Sequence, residues 1–440
     1  MRNLALALLA STLALAPLPA PASGARLEAE IDRLAAEVEP QVIAWRRDIH
    51  QHPELSNREL RTAKLVADHL DELGIEVRRE IAKTGVVGLL RGGLPGGVVA
   101  LRADMDALPV TEEVDLPFAS KVRTTYLGRE VGVMHACGHD AHTAILLGVA
   151  EVLTKLRERI PGSVLFLFQP AEEGAPPGEK GGASLMIEEG ALESPRPEAI
   201  FALHVSPEHP AGEIAYRAGG AMASSDKLEI RVRGKQTHAA YPWLGVDPIA
   251  VASSIVLALQ ALPGRQIDAR LPSVVSIGAI HGGVRHNIIP GEVELLGTIR
   301  TLDPGVQPDL HQRIRRAATK IAESAGASAE VEITIGNPVT YNDPELTARM
   351  EPTLRRVAGA ERLRVGLPRT GAEDFSFLSR EVPGLYFWLG TRSPGVAEKD
   401  AAPNHSPLFE VDESALGLGV RALAHLAVDF LSKEDAAGRR

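Results

Sequence analysis

Apolar residues recur at helical spacing from Leu27 to Ile49 and again from Arg58 to Leu73. Two short apolar runs, Gly85-Val-Val-Gly-Leu-Leu90 and Val98-Val-Ala-Leu101, then predict strands. Ser163-Val-Leu-Phe-Leu-Phe168 is continuously apolar, the pattern of a strand buried on both faces of a parallel sheet, and Ala199-Ile-Phe-Ala-Leu-His-Val205 and Leu385-Tyr-Phe-Trp-Leu-Gly390 read the same way. Helices alternating with such strands predict an α/β fold. From about Ala218 the pattern changes: Lys227-Leu-Glu-Ile-Arg-Val-Arg233 alternates apolar and charged residues, as in a sheet open to water on one face. Asp247-Pro248, an N-cap followed by proline at the first helical position, opens a helix to about Leu262. Strands at Val274 to Ile280 and Glu292 to Arg300, a helix at Val306 to Ser324 and a strand at Ala329 to Ile335 complete a β-α-β-β-α-β order, which is ferredoxin-like. After Gly336 helices and an apolar strand return. The expected architecture is an α/β domain split into residues 25–217 and 331–440, with an α+β domain of residues 218–330 inserted in it.

The N-terminus reads as an address rather than as fold. Met1-Arg-Asn is followed by an apolar run from Leu4 to Ala16 and by small residues through Ala25, so residues 1–24 are expected to be a cleavable signal peptide, and the mature chain periplasmic or secreted. No cysteine stands near the cleavage region to carry a lipid, and no later run is expected to reach the ~18 to 20 apolar residues of a membrane helix. The remaining composition, 45% hydrophobic and 24% charged over 440 residues, is that of a globular chain with room for two cores. Net charge is −10 and no basic tract occurs, so neither nucleic acid nor a membrane is an expected partner.

Candidate chemistry concentrates in Met134-His-Ala-Cys-Gly-His-Asp-Ala-His142, which holds the chain's single cysteine. A thiolate and an imidazole two positions apart can bind a borderline divalent metal, and no second cysteine exists to form an intrachain disulfide. A lone cysteine beside histidines is also a common inert core residue. A helix opening at Asp140 or His142 and running to Lys155 would hold this stretch at a helix entrance, where backbone amides favour thiolate. Glu172 and Glu173 directly follow the strand ending at Phe168, and ligands of open α/β sheets bind at that end. One glutamate can then hold metal while the other moves protons, although adjacent glutamates are more often simply solvated. His204 lies at the end of the next strand, and His405 in the turn-forming Pro403-Asn-His-Ser-Pro407.

Six stretches in this order, Arg102-Ala-Asp-Met-Asp-Ala-Leu-Pro109, Met134-His-Ala-Cys-Gly-His-Asp140, Gln169-Pro-Ala-Glu-Glu-Gly174, Ala202-Leu-His204, Gly371-Ala-Glu-Asp-Phe-Ser376 and Asn404-His405, resemble the M20 metallopeptidase family. Within it they are similar to the amidohydrolase branch of hippurate, N-acyl-amino-acid and indole-acetyl-amino-acid hydrolases, from about His50 to Glu413. The resemblance implies a split zinc-peptidase-like catalytic domain with an inserted ferredoxin-like lid and dimerisation domain. It further implies two divalent metal ions held by Cys137, His139, Glu173, His204 and His405, with Glu172 as the catalytic carboxylate and Asp106 orienting a ligand from behind. One thiolate with three imidazoles suits zinc best, with manganese, cobalt or nickel as alternatives.

In the insert, His238 of Gly234-Lys-Gln-Thr-His-Ala-Ala-Tyr-Pro242 resembles the histidine that stabilises the oxyanion, often in the partner subunit's active site. By itself it reads as a surface residue. Asn287 matches an asparagine that contacts the substrate, and Arg285 and His286 are candidates for holding a substrate carboxylate. Gln236, Thr237 and Trp243 depart from the family pattern, so lid shape and substrate choice do not carry over. Glu373 and Asp374 are expected to brace the fold, His135 and His142 to support donors or cap a helix, and His50 and His52 to pack at a helix end. The implied reaction is hydrolysis of the amide bond of small N-acyl or N-aroyl amino acids, by a homodimer. A dipeptidase or aminopeptidase is the alternative, distinguished by a need for a free α-amine. A non-catalytic metal-dependent binding protein would be expected to have lost Glu172 or several donors.

Overall fold

The computed structural model describes residues 23–437. An eight-stranded mixed sheet forms its centre. From one edge the strands are Glu76–Ile81, Gly85–Arg91, Pro161–Gln169, Leu94–Asp104, Ala199–Pro210, Gly384–Arg392, Ile214–Tyr216 and Leu363–Val365. The middle four run parallel, which explains their nearly unbroken apolar sequences. Pro161–Gln169 is parallel on one side only, since it pairs antiparallel with Gly85–Arg91 on the other.

Helices cover both faces. Ser23–Gln51, His139–Lys155 and Leu416–Ala437 pack together on one, over a core that includes Val42, Ile145, Phe166, Phe201 and Val420. Gly182–Glu188 and Phe375–Glu381 lie on the other, over Leu167, Ala202, Tyr386 and Trp388. Chain order decides where a ligand can enter. Leu94–Asp104 leads through a helix to its neighbour on one side, Pro161–Gln169, and the chain then crosses to Ala199–Pro210 on the other side. That reversal leaves a crevice at the carboxyl end of Leu94–Asp104.

The inserted sheet has the order Ser273–Gly282, Glu292–Thr301, Asp226–Arg233, Ser328–Ile335, all antiparallel. Helices Pro248–Arg265 and Val306–Ser324 close one face around Leu228, Ile230, Ile255, Leu295 and Leu310. This is the ferredoxin-like arrangement that the alternating pattern predicts. The opposite face carries the charges of that pattern, paired as Lys227 with Glu229, Arg231 with Glu294, and Arg233 with Glu292 and Glu330. Asp247 caps its helix as expected, accepting from the Ile249 and Ala250 amides at 2.9 and 3.4 Å. Gly219–Met222 pairs with Thr340–Asn342, so the chain leaves and re-enters the large domain side by side. The last inserted strand runs to Ile335, past the boundary expected at 330.

Two helical segments, Pro248–Arg265 and Glu413–Ser432, are long and apolar enough to cross a membrane by length and composition, against the expectation from sequence. Packing accounts for their composition. Glu413–Ser432 is 72% buried inside the protein, and Pro248–Arg265 turns Val251, Ile255, Leu259 and Leu262 onto its sheet while leaving Leu257 exposed. The expected signal segment lies outside the described residues, apart from Ser23 and Gly24, which begin the first helix.

Candidate metal centre

Gly138 separates Cys137 from His139 with a left-handed φ of +92°, and a Cβ there would stand 2.3 Å from Val205 Cγ2. Only glycine meets both conditions, and the turn aims the cysteine and histidine into the same crevice. The helix starts at His139 itself, capped by no side chain, rather than at Asp140 or His142. Asp140 is engaged elsewhere: it accepts from Arg46 Nε at 2.8 Å and from His50 Nδ1 at 2.9 Å.

His204 is not the end of its strand, which continues to Pro210. What ends is the ladder to Leu94–Asp104, whose last pair is Arg102 with Ala202, while pairing with Gly384–Arg392 continues. His204 therefore stands on the side of the strand left open. The Glu172–Glu173 turn begins at Ala171, whose φ is +52° and whose amide donates to Glu59 Oε1 at 2.9 Å. His405 also has a left-handed φ, +70°. Its amide donates to Ala136 O at 2.7 Å and Asn404 Nδ2 donates to Cys137 O at 3.1 Å, which ties this distant loop to the cysteine loop.

The donors meet in overlapping groups whose ligand atoms lie within 4.8 Å of one another: Cys137, His139 and His204; Cys137, Glu173 and His405; His139, Glu172 and Glu173. Cys137 Sγ is 3.3 Å from His204 Nε2, and His405 Nε2 is 3.0 Å from Glu173 Oε1. Hydrogen bonds set the tautomers. His139 Nδ1 donates to Asp106 Oδ1 at 3.1 Å and His204 Nδ1 donates to Val205 O at 2.7 Å, so Nε2 is the nitrogen that each ring leaves for the cluster. His139 Nε2 is buried with no hydrogen-bond partner among the described residues. A buried imidazole nitrogen grouped with a thiol, a second imidazole and two carboxylates is a site that fits cations, which would take the place of a proton on that nitrogen.

Electrostatics agree. Burial, then the charges of Glu173 and Glu172, push the Cys137 thiol well above its usual value. Burial, then Glu373 and Glu173, do the same to Glu172. Burial opposes charge on His139, yet Asp104 and Asp106 prevail and raise it to about 10. Positive charge is what this cluster lacks.

His142 is a support rather than a donor: Nδ1 donates to Asp104 Oδ1 at 2.5 Å and Nε2 accepts from the Val205 amide at 2.9 Å, which uses both nitrogens. His135 neither supports nor caps. It is buried with neither nitrogen hydrogen-bonded among the described residues, and burial lowers it to about 3. His50 is buried at the last turn of its helix as expected, while His52 is exposed. Glu373 and Asp374 brace as expected, each 3.0 Å from Arg102 Nη2. His238, Arg285 and Asn287 are not among the residues that line the donor cleft. His238 pairs in a short ladder with Ile288, and Arg285 lines a separate cleft on the insert.

Three further groups escaped the sequence. Arg102 is fully buried and donates to Asp104, Gln169, Glu373 and Asp374. Glu59, raised to about 7 by burial and Asp106, accepts from Ala171 and from Thr84 Oγ1. Arg369 lines the donor cleft, whose volume is about 720 Å³. Arg102 opens one of the stretches that carry the family resemblance, but its remote partners gave it no legible role there, and no local pattern marks Glu59 or Arg369.

Comparisons with known proteins bear on the same residues. Residues 100–429 match Peptidase family M20/M25/M40. The chain is 44% identical to thermostable carboxypeptidase 1 of Saccharolobus solfataricus over 90% of this chain and 97% of that one. It is 39% identical to an N-acetylcysteine deacetylase of Bacillus subtilis, over 89% and 97%. A solved Bacillus subtilis protein described as a dinuclear metal binding peptidase from M20 family superposes with a TM-score of 0.76 at 36% identity, covering 90% of this chain and 99% of that one.

Proposed function

The chain belongs to Peptidase family M20/M25/M40 and is a metal-dependent hydrolase; from that premise we propose that it cleaves the amide bond of N-acyl or N-aroyl amino acids. The observation that carries the reading is the convergence of five donors in overlapping groups, one of which joins His139 and Glu173 to Glu172, whose Oε2 lies 4.0 Å from His139 Nε2. In this reading Cys137, His139, Glu173, His204 and His405 hold two divalent ions, zinc by the donor chemistry. When bound, such ions polarise a scissile carbonyl and lower the pKa of water.

The chain's own residues do the rest. Asp106 fixes the His139 ring and, through its other oxygen, the Glu173 amide at 3.0 Å. Glu172 accepts the proton of the attacking water and returns it to the leaving nitrogen; its Oε1 faces the Asp374 amide at 3.4 Å, which leaves Oε2 for the transfer. His238 and Asn287 would come from a second subunit, His238 stabilising the oxyanion and Asn287 contacting the substrate. Two features support that dimer: the ten-residue edge strand Ser273–Gly282 and the adjoining exposed Leu257 and Ile280. A periplasmic or secreted location completes the proposal, on the N-terminal pattern alone.

The carboxypeptidase relative favours a second reading, in which peptides are cleaved. Amine release from N-acyl amino acids and from free dipeptides, by metal-free enzyme with zinc, manganese or cobalt restored, separates the two. Metal-dependent cleavage of the acylated set supports the first reading. Cleavage confined to substrates with a free α-amine overturns it.

A further inference from the structure

A second cleft, of about 400 Å³, adjoins the donor cleft and shares Glu173 and Gly174 with it. Gly174 has a left-handed φ of +102°, and a Cβ built there would meet no heavy atom within 4 Å, so the space beside this shared wall is open. Leu55, Leu108, Pro109, Pro176 and Pro177 give the second cleft apolar walls. Backbone bridges tie those walls to the donor stretch: Leu55 pairs with Ala107, and Leu108 with Met134.

A further wall is a hairpin that belongs to neither main sheet. Arg123–Tyr126 pairs with Arg129–Gly132 in a two-stranded sheet of its own. Its base is pinned, since the Val133 amide donates to Val122 O at 3.0 Å and the Gly132 amide to Thr111 Oγ1 at 3.3 Å. Leu127 at φ +50° and Gly128 at φ +76° make the turn, both left-handed as tight hairpins require. Asparagine or aspartate is favoured at the first of these positions, and a leucine there is uncommon. This leucine is 68% exposed, and with Tyr126 it lines the cleft. An apolar side chain held against its backbone preference at the rim of a cleft points to a use for that side chain.

Charge narrows the occupant. Among the described residues that line the cleft, only Arg58 and Glu173 are charged. Arg58 is engaged: Nη1 donates to Asn57 O at 2.9 Å and to Glu179 Oε2 at 3.2 Å, and Nη2 to Glu179 Oε1 at 2.6 Å. Glu173 faces His405 within the donor cluster. A charged group entering this cleft would find no uncommitted counter-charge, whereas an apolar one would simply leave water.

We propose that this cleft is the subsite for the acyl half of the substrate, and that Tyr126 and Leu127 on the hairpin make the enzyme select aromatic or extended apolar acyl groups over acetyl. The inference rests on reading the donor cluster as an amide-cleaving centre. With the scissile carbonyl at the donors, the amino acid occupies the donor cleft and the acyl group passes Gly174 into the second. Its volume falls within the roughly 300–1,000 Å³ of small-molecule sites.

Steady-state kinetics on one amino acid carrying acetyl, butanoyl, hexanoyl or benzoyl groups test this, with metal-loaded wild type, Leu127→Asn and Tyr126→Thr. Leu127→Asn supplies the Asn-Gly pair that such a turn prefers, so misfolding does not account for its effect. Tyr126→Thr keeps a strand former. In wild type kcat/KM should climb about fourfold per methylene to hexanoyl, and benzoyl should exceed acetyl by about 10-fold or more. In the variants the benzoyl-to-acetyl and hexanoyl-to-acetyl ratios should fall about 3- to 10-fold, mainly through KM. Calorimetric affinities of the product acids, hexanoate and benzoate against acetate, read the same cleft without turnover and should lose the same ratio. Ratios that stay at the wild-type value in both variants overturn the proposal. Wild type that cleaves the whole series at one rate sinks the subsite and leaves the N-acyl reading standing. Wild type that cleaves only dipeptides with a free α-amine sinks the N-acyl reading and, with it, the uncharged occupant.

Discussion

Asp106 joins His139 to Glu173: its Oδ1 accepts from the His139 ring at 3.1 Å, and its Oδ2 accepts from the Glu173 amide at 3.0 Å and from Ser56 Oγ at 2.7 Å. One buried carboxylate thus positions two proposed metal donors that are remote in sequence. Burial would raise its pKa, but the His139 hydrogen bond and charge outweigh that and hold it below the usual range, so it stays an acceptor on both oxygens.

Asp106→Asn keeps the shape and removes one acceptor. Metal affinity should fall about 10- to 100-fold, the usual cost of losing such an outer partner. Competition titration of the metal-free protein against a chromophoric chelator measures it, and unchanged affinity would remove the positioning role.

Glu172→Gln separates proton transfer from metal binding. Metal content by elemental analysis should match wild type while kcat falls at least ~10²-fold, the scale of a lost general base. A variant near the wild-type rate would assign the proton transfer to another group.

Arg102 has no exposed side-chain surface and faces Asp104, Glu373 and Asp374. Arg102→Met leaves those carboxylates buried without their cation and should destabilise the protein by about 3–5 kcal/mol. Urea midpoints on metal-loaded protein check this. A loss below about 1 kcal/mol would mean that the carboxylates share protons instead.

His50 supplies a pH signature. Nδ1 lies 2.9 Å from Asp140 Oδ2 and Nε2 lies 3.0 Å from Glu112 Oε1, so both nitrogens face carboxylates. Burial works against the charged ring, but Asp140 and the two hydrogen bonds prevail and raise its pKa above 6.5. A raised folded pKa contributes stability that is complete below the unfolded value and is lost as pH climbs through the folded one. The Tm deficit of His50→Gln against wild type should therefore be larger at pH ~6 than at pH ~9. Equal deficits would show that folding does not raise the ring's pKa.

Local pattern alone fixed much of this protein. Continuous apolar runs became the parallel strands, alternation became the inserted sheet, and Asp247-Pro248 became a capped helix, because burial on one face or two is written directly into residue period. The kinds of chemistry were also legible, since cysteine, histidine and paired glutamates stand at strand and helix ends. Tertiary structure decided the rest. Only the lapse of the ladder after Ala202 shows why His204, in mid-strand, is free to face Cys137. His142 and His135 look alike in sequence, yet one is locked between Asp104 and Val205 and the other has no hydrogen-bond partner among the described residues. Arg102, Glu59 and Arg369 were silent because a buried ion or a stacked guanidinium depends on partners that register and chain crossing bring together, and no local period encodes those contacts.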